Sequence, residues 1–362
     1  MPGSQLLMLL KIDSHTLMNV MFVFIIILGS LFSCTVIFFI YKKRISLKIK
    51  SWEDQVSLIV STAVLNLDED CNEIILKNAN KLKNQRFRQY LLHEIILAKK
   101  SLSGSAAENI KKLYETLGLN NDSFKKLRNK KWHIKAKAVH ELAIMEQEKY
   151  VKQIFRLTNN KSELVRNEAQ CALVSFFGFP GLRFLGVTTY PLSEWQQIQL
   201  LNKLHDVKPK NFDVIKKWLQ SSNESVVNFS LRLASFYNRF DVYPDVMDCL
   251  SNTSLQVKLN TLNYLKRIPR EDTAGKLVDE YSYENKSYKL AIINALNDIG
   301  NEEQISFLLK QLHHGDNEIK LAAAKSLCHL HPLGIEFLKK HLFALEDPWK
   351  TIFLQIENEH AI

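Results

Sequence analysis

Residues 316–327 read Asp-Asn-Glu-Ile-Lys-Leu-Ala-Ala-Ala-Lys-Ser-Leu, a polar turn followed by a helix-like apolar pattern. The pattern recurs along the chain at steps of 31, 31, 31, 30, 31 and 31 residues. The first residues of its copies are Ile134, Val165, Gln196, Val227, Val257, Tyr288 and Ile319. A fixed period of this length is typical of a stacked array, because each unit can bury its apolar face only against its neighbours.

Each copy places apolar or small residues four and eight positions after its first residue. The eighth position is Leu in six of seven copies, and Ser235 is the exception. These spacings place the side chains on one face of a helix. Polar turns such as residues 159–162 precede most copies and can cap the helix that follows. A second apolar segment follows, as in 304–312, so each repeat is predicted to be two antiparallel helices.

Residues 160–173 and 316–327 resemble the HEAT-repeat family in its short bacterial form, and the resemblance covers roughly 130–345. It implies an all-α fold, a right-handed α-solenoid of about seven helical hairpins. In this family a basic residue after the first position ties the repeats together. We therefore expect a structural role for five residues: Lys135, Arg166, Lys258, Lys289 and Lys320. The copies that begin at Gln196 and Val227 depart most from the pattern.

The segment from Leu17 to Tyr41 contains no charged residue and predicts one transmembrane helix. Its 25 residues would be about 37 Å long as a helix, enough to cross a hydrocarbon core of roughly 30 Å. Lys42, Lys43 and Arg44 follow at once, so the C-terminal domain is expected in the cytoplasm and the N-terminus outside. We expect a single-pass protein of the inner (cytoplasmic) membrane. A cleaved signal peptide would carry its basic residues first, and a lipoprotein cleavage at Cys34 would leave an apolar run.

These features predict five segments. Their order is a short extracytoplasmic N-terminus (1–16), a transmembrane helix (17–41), a basic juxtamembrane segment (42–52), a helical N-terminal cap or irregular repeats (53–118), and the HEAT-repeat solenoid (119–362). A cap is expected because an array that ends abruptly exposes apolar surface.

Positive charge is concentrated near the predicted membrane helix. Residues 42–137 contain 21 Lys and Arg against 10 Asp and Glu, within a net charge of +10 for the chain. The densest cluster contains Lys125, Lys126, Arg128, Lys130, Lys131 and Trp132. Such a cluster favours contact with anionic lipid headgroups, and a plain solvated face is the alternative. No nucleic-acid motif accompanies it, so we expect no nucleic-acid partner.

Aromatic residues interrupt the repeat pattern between 176 and 195. Phe179, Tyr190 and Trp195 are candidate contacts for a protein partner, because aromatic residues dominate interface energetics. Filling the gap beside the degenerate copy at Gln196 is the alternative.

Motifs for chemistry are sparse. We find no phosphate-binding loop, nucleophile elbow or metal-ligand cluster, and we predict no cofactor, metal or small-molecule substrate. HEAT-repeat hydroxylases use four His-Glu pairs, whereas this chain has two, at His93-Glu94 and His140-Glu141. The repeat framework also resembles phycobilin lyases, without their catalytic residues. The five cysteines lack short spacings, which fits free thiols in a reducing cytoplasm.

Together these features favour a non-enzymatic, membrane-anchored scaffold or adaptor that binds a protein at the cytoplasmic face. An iron-dependent hydroxylase and a bilin-lyase-like enzyme are the alternatives. Single-pass proteins of this kind look like accessory subunits of membrane machinery. Our leading hypothesis for the partner is a membrane glycosyltransferase that makes surface polysaccharide.

Overall fold

The fold is all-α throughout the residues that the structure describes. The computed structural model describes residues 14–65, 73, 76–208, 211–283, 285–330, 338 and 348–360, which contain helices and turns but no strand. The chain forms two compact units. The first comprises the residues up to Arg128 together with Ile144–Gln147, and the second comprises Asn129–Ala143 and the residues from Glu148 onward. The first unit therefore extends beyond the predicted boundary at residue 118.

The first helix, α1, runs without a break from Ser14 to Val64, over 51 residues. The sequence predicted a membrane helix, a separate basic segment and then a new helix. The structure differs because residues 42–64 contain neither Gly nor Pro, so nothing interrupts the backbone hydrogen bonds there. The predicted extracytoplasmic segment lies mostly outside the described residues.

The core of the first unit forms where α1 packs against two of the following helices. The helices that follow α1 in this unit are α2 (Ala79–Leu82), α3 (Gln85–Ser101), α4 (Gly104–Thr116) and α5 (Leu119–Leu127). Helices α1, α3 and α4 pack against one another, and Val56 and Ile59 of α1 are buried among their side chains. Arg88 of α3 forms an ion pair with Asp122 of α5 and donates to the Leu117 carbonyl oxygen at 3.0 Å. Burial of apolar surface thus holds the C-terminal part of α1, around Val56 and Ile59, in this unit.

The second unit is built on seven helices that begin at a nearly constant interval. They are α6 (Trp132–Ile144), α8 (Glu163–Phe177), α9 (Glu194–Leu204), α11 (Glu224–Phe236), α13 (Leu255–Arg267), α15 (Lys286–Ile299) and α17 (Asn317–Leu330). Their first residues are separated by 31, 31, 30, 31, 31 and 31 positions. The helical period predicted from the sequence is confirmed.

Shorter helices follow the first helix of most repeats. They are α7 (Val151–Leu157), α10 (Val214–Leu219), α12 (Tyr243–Asp248), α14 (Thr273–Glu280) and α16 (Ile305–Gln311). The repeat of α8 has a 3₁₀ segment, Phe179–Val187, in this place. The second segment of the last repeat, predicted at 335–342, lies almost wholly outside the described residues. Helix α18 (Trp349–His360) follows.

Consecutive first helices pack against each other through the predicted apolar face. Helix α8 packs against α9, and α11, α13, α15 and α17 pack in succession. The side chains at the fourth position, from Ala138 to Ala323, are all fully or nearly fully buried. Hydrogen bonds span one repeat: Asn260 Nδ2 donates to Asn228 Oδ1 at 2.8 Å, and Ser326 Oγ donates to the Ile293 carbonyl oxygen at 3.0 Å. The repeats are therefore in contact, while the right-handed superhelix stays a prediction.

Four of the five basic residues expected to be structural lie over an aromatic ring. The pairs, with the distance from the cation to the ring centre, are Arg166 and Tyr190 (4.2 Å), Lys258 and Tyr288 (5.1 Å), Lys289 and Tyr281 (5.2 Å), and Lys320 and Trp349 (5.9 Å). Each ring belongs to a neighbouring repeat or to the segment that follows the repeat. A cation over a ring contributes about 0.5–1 kcal/mol at exposed sites. These residues therefore help to join each repeat to the segment or repeat beside it.

The repeat face can be tested at Leu265, which is fully buried. We expect Leu265→Ala to lower the free energy of unfolding by about 2–5 kcal/mol, because it leaves a cavity between helices. Leu354→Ala is the matched control, since Leu354 is 52% exposed, and should change stability by less than about 0.5 kcal/mol. Urea unfolding of the full chain in detergent, followed by circular dichroism, measures both. Equal effects of the two substitutions would contradict the assignment.

Candidate partner-binding surface

The first half of α1 presents apolar side chains that no part of the described structure covers. Phe22, Ile26, Phe32 and Phe38 are all more than half exposed. The helix Met18–Val64 is long and apolar enough to cross a membrane, and none of its most apolar window is buried. A core helix of a water-soluble protein would have this surface buried.

A loop in the second unit, residues 187–192, is fixed by side chains from two different turns. Asn159 Nδ2 donates to the Val187 carbonyl oxygen at 3.1 Å, and its Oδ1 accepts from the backbone N–H of Thr189 at 3.1 Å. From the other side, Asn223 Nδ2 donates to the carbonyl oxygens of Thr188 and Tyr190 at 3.3 and 3.2 Å. The loop therefore has its backbone polar groups paired on both flanks.

The end of this loop leads directly into the first helix of the next repeat. The N–H of Leu192 donates to Ser225 Oγ at 2.8 Å. Ser193 then forms a capping box with Gln196 at the N-terminus of α9. This explains the polar first residue of that repeat, since the buried Gln196 side chain accepts from the Ser193 N–H at 2.8 Å.

Tyr190 is held in place by a buried cation. The Arg166 guanidinium lies 4.2 Å from the centre of the Tyr190 ring. Arg166 Nη1 also donates to the carbonyl oxygens of Asn160 and Lys161, at 2.8 and 3.2 Å. Because these bonds fix the position of Arg166, its guanidinium helps to fix Tyr190, a residue that remains 39% exposed.

Trp195 is the largest exposed side chain near this loop, with 65% of its surface accessible. It lies in the first turn of α9, and Ile198 lies one turn further along the helix. Leu164 occupies the equivalent position of the preceding repeat, on α8, which packs against α9. An Asn167–Gln199 hydrogen bond of 2.7 Å joins the two helices. We define the aromatic surface as Leu164, Val187, Tyr190, Trp195 and Ile198, all of them exposed.

Phe179, predicted as a third aromatic contact, lies in the core. Only 3% of it is exposed, and its ring lies 4.8 Å from that of Phe212 and 6.0 Å from those of Trp218 and Tyr237. A side chain on nearby Gly181 would collide with the Leu173 carbonyl oxygen, so the turn packs closely on α8. Phe179, the first residue of the 3₁₀ segment, therefore packs in the core, and it is removed from the candidate contacts.

Three residues of the basic cluster belong to the first unit. Lys125 and Lys126 lie in the last turn of α5, where positive charge interacts favourably with the carbonyl end of a helix. The Arg128 guanidinium lies 4.5 Å from the centre of the Phe124 ring. The positions of these three basic side chains are therefore explained by contacts within or next to α5.

The other three residues of the cluster, Lys130, Lys131 and Trp132, belong to the second unit. All three are exposed, and the Trp132 ring meets His133 edge-on at 5.4 Å. The sequence cluster is thus divided between the two units after Arg128. Its contact with lipid stays a prediction.

The described residues contain no group of three or more His, Cys, Asp or Glu side chains arranged to hold a metal ion. His140 Nδ1 lies 3.2 Å from Glu168 Oε2 of the next repeat, whereas Glu141 is buried. The two side chains of this His-Glu pair diverge because adjacent residues on a helix point about 100° apart.

Three thiols of the second unit are protonated at neutral pH. Burial is the first cause that raises the pKa of Cys171, Cys249 and Cys328, in each case to about 11. At neutral pH these three thiols therefore carry little of the thiolate form that acts as a nucleophile.

No protein-family model and no curated protein matches this sequence. Among solved structures, an engineered protein is similar over 87% of this chain and 95% of its own, with 13% identity and a TM-score of 0.33. The complex of CpcE and CpcF of phycocyanin lyase from Nostoc sp. PCC7120 is similar over 76% of this chain and 90% of its own, with 13% identity and a TM-score of 0.25. At these TM-scores neither similarity assigns a fold or an activity.

The sequence predicted Tyr190 and Trp195 as candidate contacts but gave no indication of the residues that surround and support them. Leu164 and Trp195 precede the first position of their repeats, where the corresponding residues are His133, Gln256, Ser287 and Glu318 in four other copies. The remaining copy has Val226, which is buried, so an apolar residue at this position does not by itself indicate an exposed surface. The roles of Asn159 and Asn223 depend on contacts about 30 residues away, which the repeat pattern does not show.

The support of the loop can be tested with Asn223→Ala. Loss of this cap and its two loop hydrogen bonds should lower the free energy of unfolding by about 1–2 kcal/mol and speed amide exchange across 187–192. Asn301→Ala is the control, because Asn301 also caps a helix but does not bond to this loop. Hydrogen–deuterium exchange with mass spectrometry distinguishes them. Unchanged exchange in the loop of the Asn223 variant would show that Asn223 does not hold it.

Proposed function

We propose that this protein is a membrane-anchored, non-enzymatic scaffold that binds a protein partner through the aromatic surface. The observation that carries the proposal is a strongly exposed Trp195 beside a loop whose backbone is fixed on both flanks. Exposed aromatic residues on a pre-organised backbone are typical of protein-binding hot spots, because little conformational entropy is lost on binding.

Anchoring is supported by the exposed apolar surface of α1. Water contact with such a surface is unfavourable by roughly 25 cal/mol for each Å², and a bilayer would remove it. The basic residues Lys42, Lys43 and Arg44 follow the apolar segment on the same helix. We therefore propose a single-pass inner-membrane protein with its N-terminus outside, and with the second unit and the part of the first unit that follows the apolar segment in the cytoplasm.

The physical mechanism of the scaffold is tethering. A partner that binds a membrane-attached surface is kept at high effective concentration beside other membrane components. Because α1 joins the apolar segment to the core of the first unit without a break, no flexible linker separates that unit from the bilayer.

The aromatic surface has the composition of a protein-binding site. It combines Trp and Tyr with the supporting Arg166, and an ion pair of 2.9 Å between Arg232 and Glu194 lies at its edge. A membrane glycosyltransferase remains our hypothesis for the partner.

The proposed topology predicts the behaviour of C-terminal reporter fusions in a bacterial host. Fused to the full chain, a fluorescent protein that matures only in the cytoplasm should be bright, and alkaline phosphatase should be inactive. The fusion should also resist extraction from membranes by carbonate. Active phosphatase, or release of the protein by carbonate, would refute the proposed topology or anchoring respectively.

The binding surface predicts the result of crosslinking in intact cells. We expect Trp195→Ala to reduce recovery of a crosslinked partner about tenfold or more, because truncation of a hot-spot aromatic costs about 2 kcal/mol or more. Phe240→Ala is the matched control, since Phe240 is 62% exposed but lies outside the aromatic surface. Quantitative mass spectrometry after purification from detergent gives both values. Recovery of this protein alone, or an equal loss in both variants, would argue against the surface.

A further inference from the structure

A cavity of about 380 Å³ lies between α1 and α3 in the first unit. Its α1 wall is formed by Ile45, Lys48, Ile49 and Trp52, which directly follow the basic residues 42–44. At 1.5 Å per residue, Ile45 lies about 6 Å and Lys48 about 10 Å beyond Tyr41 along the helix. The polar region of a bilayer adds roughly 5–8 Å on each side of the hydrocarbon core. If α1 crosses a membrane as proposed, the cavity opens at headgroup level.

The cavity has two cationic side chains and no acidic one. Lys48 comes from α1 and Arg86 from the first turn of α3, and both are exposed. Other cations of this unit, such as Arg88, Lys99 and Lys111, form ion pairs with carboxylates. In the part of the chain that the structure describes, Lys48 and Arg86 have no such ion pair.

The remaining lining supplies an apolar wall and neutral hydrogen-bonding groups. The Trp52 ring meets Phe87 edge-on at 5.5 Å and lies 6.4 Å from Tyr90, which fixes the back of the cavity. Gln85 and Gln89 contribute amide groups. Burial, followed by the charges of Glu94 and Glu53, raises the pKa of Tyr90, so its hydroxyl remains a hydrogen-bond donor. These two carboxylates do not line the cavity.

An apolar row connects the membrane segment to the cavity. Ile37, Tyr41, Ile45 and Ile49 are spaced by four residues and therefore lie along one side of α1. Ile37 and Tyr41 are more than half exposed. An acyl chain can lie along this row while its headgroup reaches the cations.

We propose that this cavity binds the phosphate headgroup of an anionic phospholipid, with Lys48 and Arg86 contacting the phosphate and the α1 row contacting an acyl chain. Its volume lies within the roughly 300–1,000 Å³ of small-molecule sites. Arg and Lys are the usual phosphate ligands in proteins. The site rests on the proposed membrane anchoring, and it would couple the first unit to the composition of the bilayer.

The test uses the full chain reconstituted in nanodiscs of phosphatidylcholine and phosphatidylglycerol, with retained lipids counted by native mass spectrometry after transfer to detergent. We expect preferential retention of phosphatidylglycerol. Lys48→Gln with Arg86→Gln should reduce this retention about tenfold or more. The control, Lys50→Gln with Lys83→Gln, removes the same charge from exposed positions that do not line the cavity and should change retention less than about twofold.

A second variant separates the cavity from its charge. Ile49→Trp fills the cavity at a partly exposed position without altering net charge, and it should also reduce phosphatidylglycerol retention. Equal losses in the cavity and control double variants would assign the effect to diffuse attraction and overturn the proposal. Full displacement of the lipid by inorganic phosphate would instead assign the site to a free anion. Failure of the chain to insert into nanodiscs would refute the anchoring, whereas insertion without lipid preference refutes only this site.

Discussion

Each first helix of the second unit has an apolar face that it cannot bury alone. The residues at the first, fourth and eighth positions of the repeats are buried, apart from the partly exposed Ile134 and Ser235, and neighbouring helices cover most of them. This constraint explains why the helices begin at nearly constant intervals: a change in repeat length would move the apolar face away from its neighbour. Packing of the apolar faces brings the repeats together. The cation–ring contacts and the hydrogen bonds that span one repeat then add to the stability of this packing.

The aromatic surface arises where this regular packing is weakest. The repeat of α8 has a 3₁₀ segment instead of a second α-helix, and the loop at 187–192 follows it. The space is filled by Phe179 and its neighbouring rings, while Asn159 and Asn223 pair the loop backbone. A local departure from the repeat therefore produces both extra core packing and a fixed, exposed surface. Loops held on a rigid scaffold are where binding residues commonly lie.

In the first unit, the apolar residues of one helix, α1, lie in two different surroundings. Val56, Ile59 and Ala63 of α1 are buried in the core formed with α3 and α4, whereas the apolar residues from Met18 to Tyr41 are covered by no described part of the chain. The cavity lined by Lys48 and Arg86 lies between these two stretches. The proposed anchor and the proposed lipid site are thus consequences of one uninterrupted helix that passes from a covered to an uncovered environment.

The sequence by itself determined the all-α class, the 31-residue period and the buried face of each first helix. These follow from local periodicity, which a helix converts directly into one face. It also predicted Tyr190 and Trp195 as candidate contacts, and both are exposed. Only the tertiary structure decided that Phe179 is buried, that α1 continues through the basic segment into a core, and that Lys48 and Arg86 line one cavity. Those outcomes depend on which side chains meet across long sequence separations, and a local pattern does not contain that information.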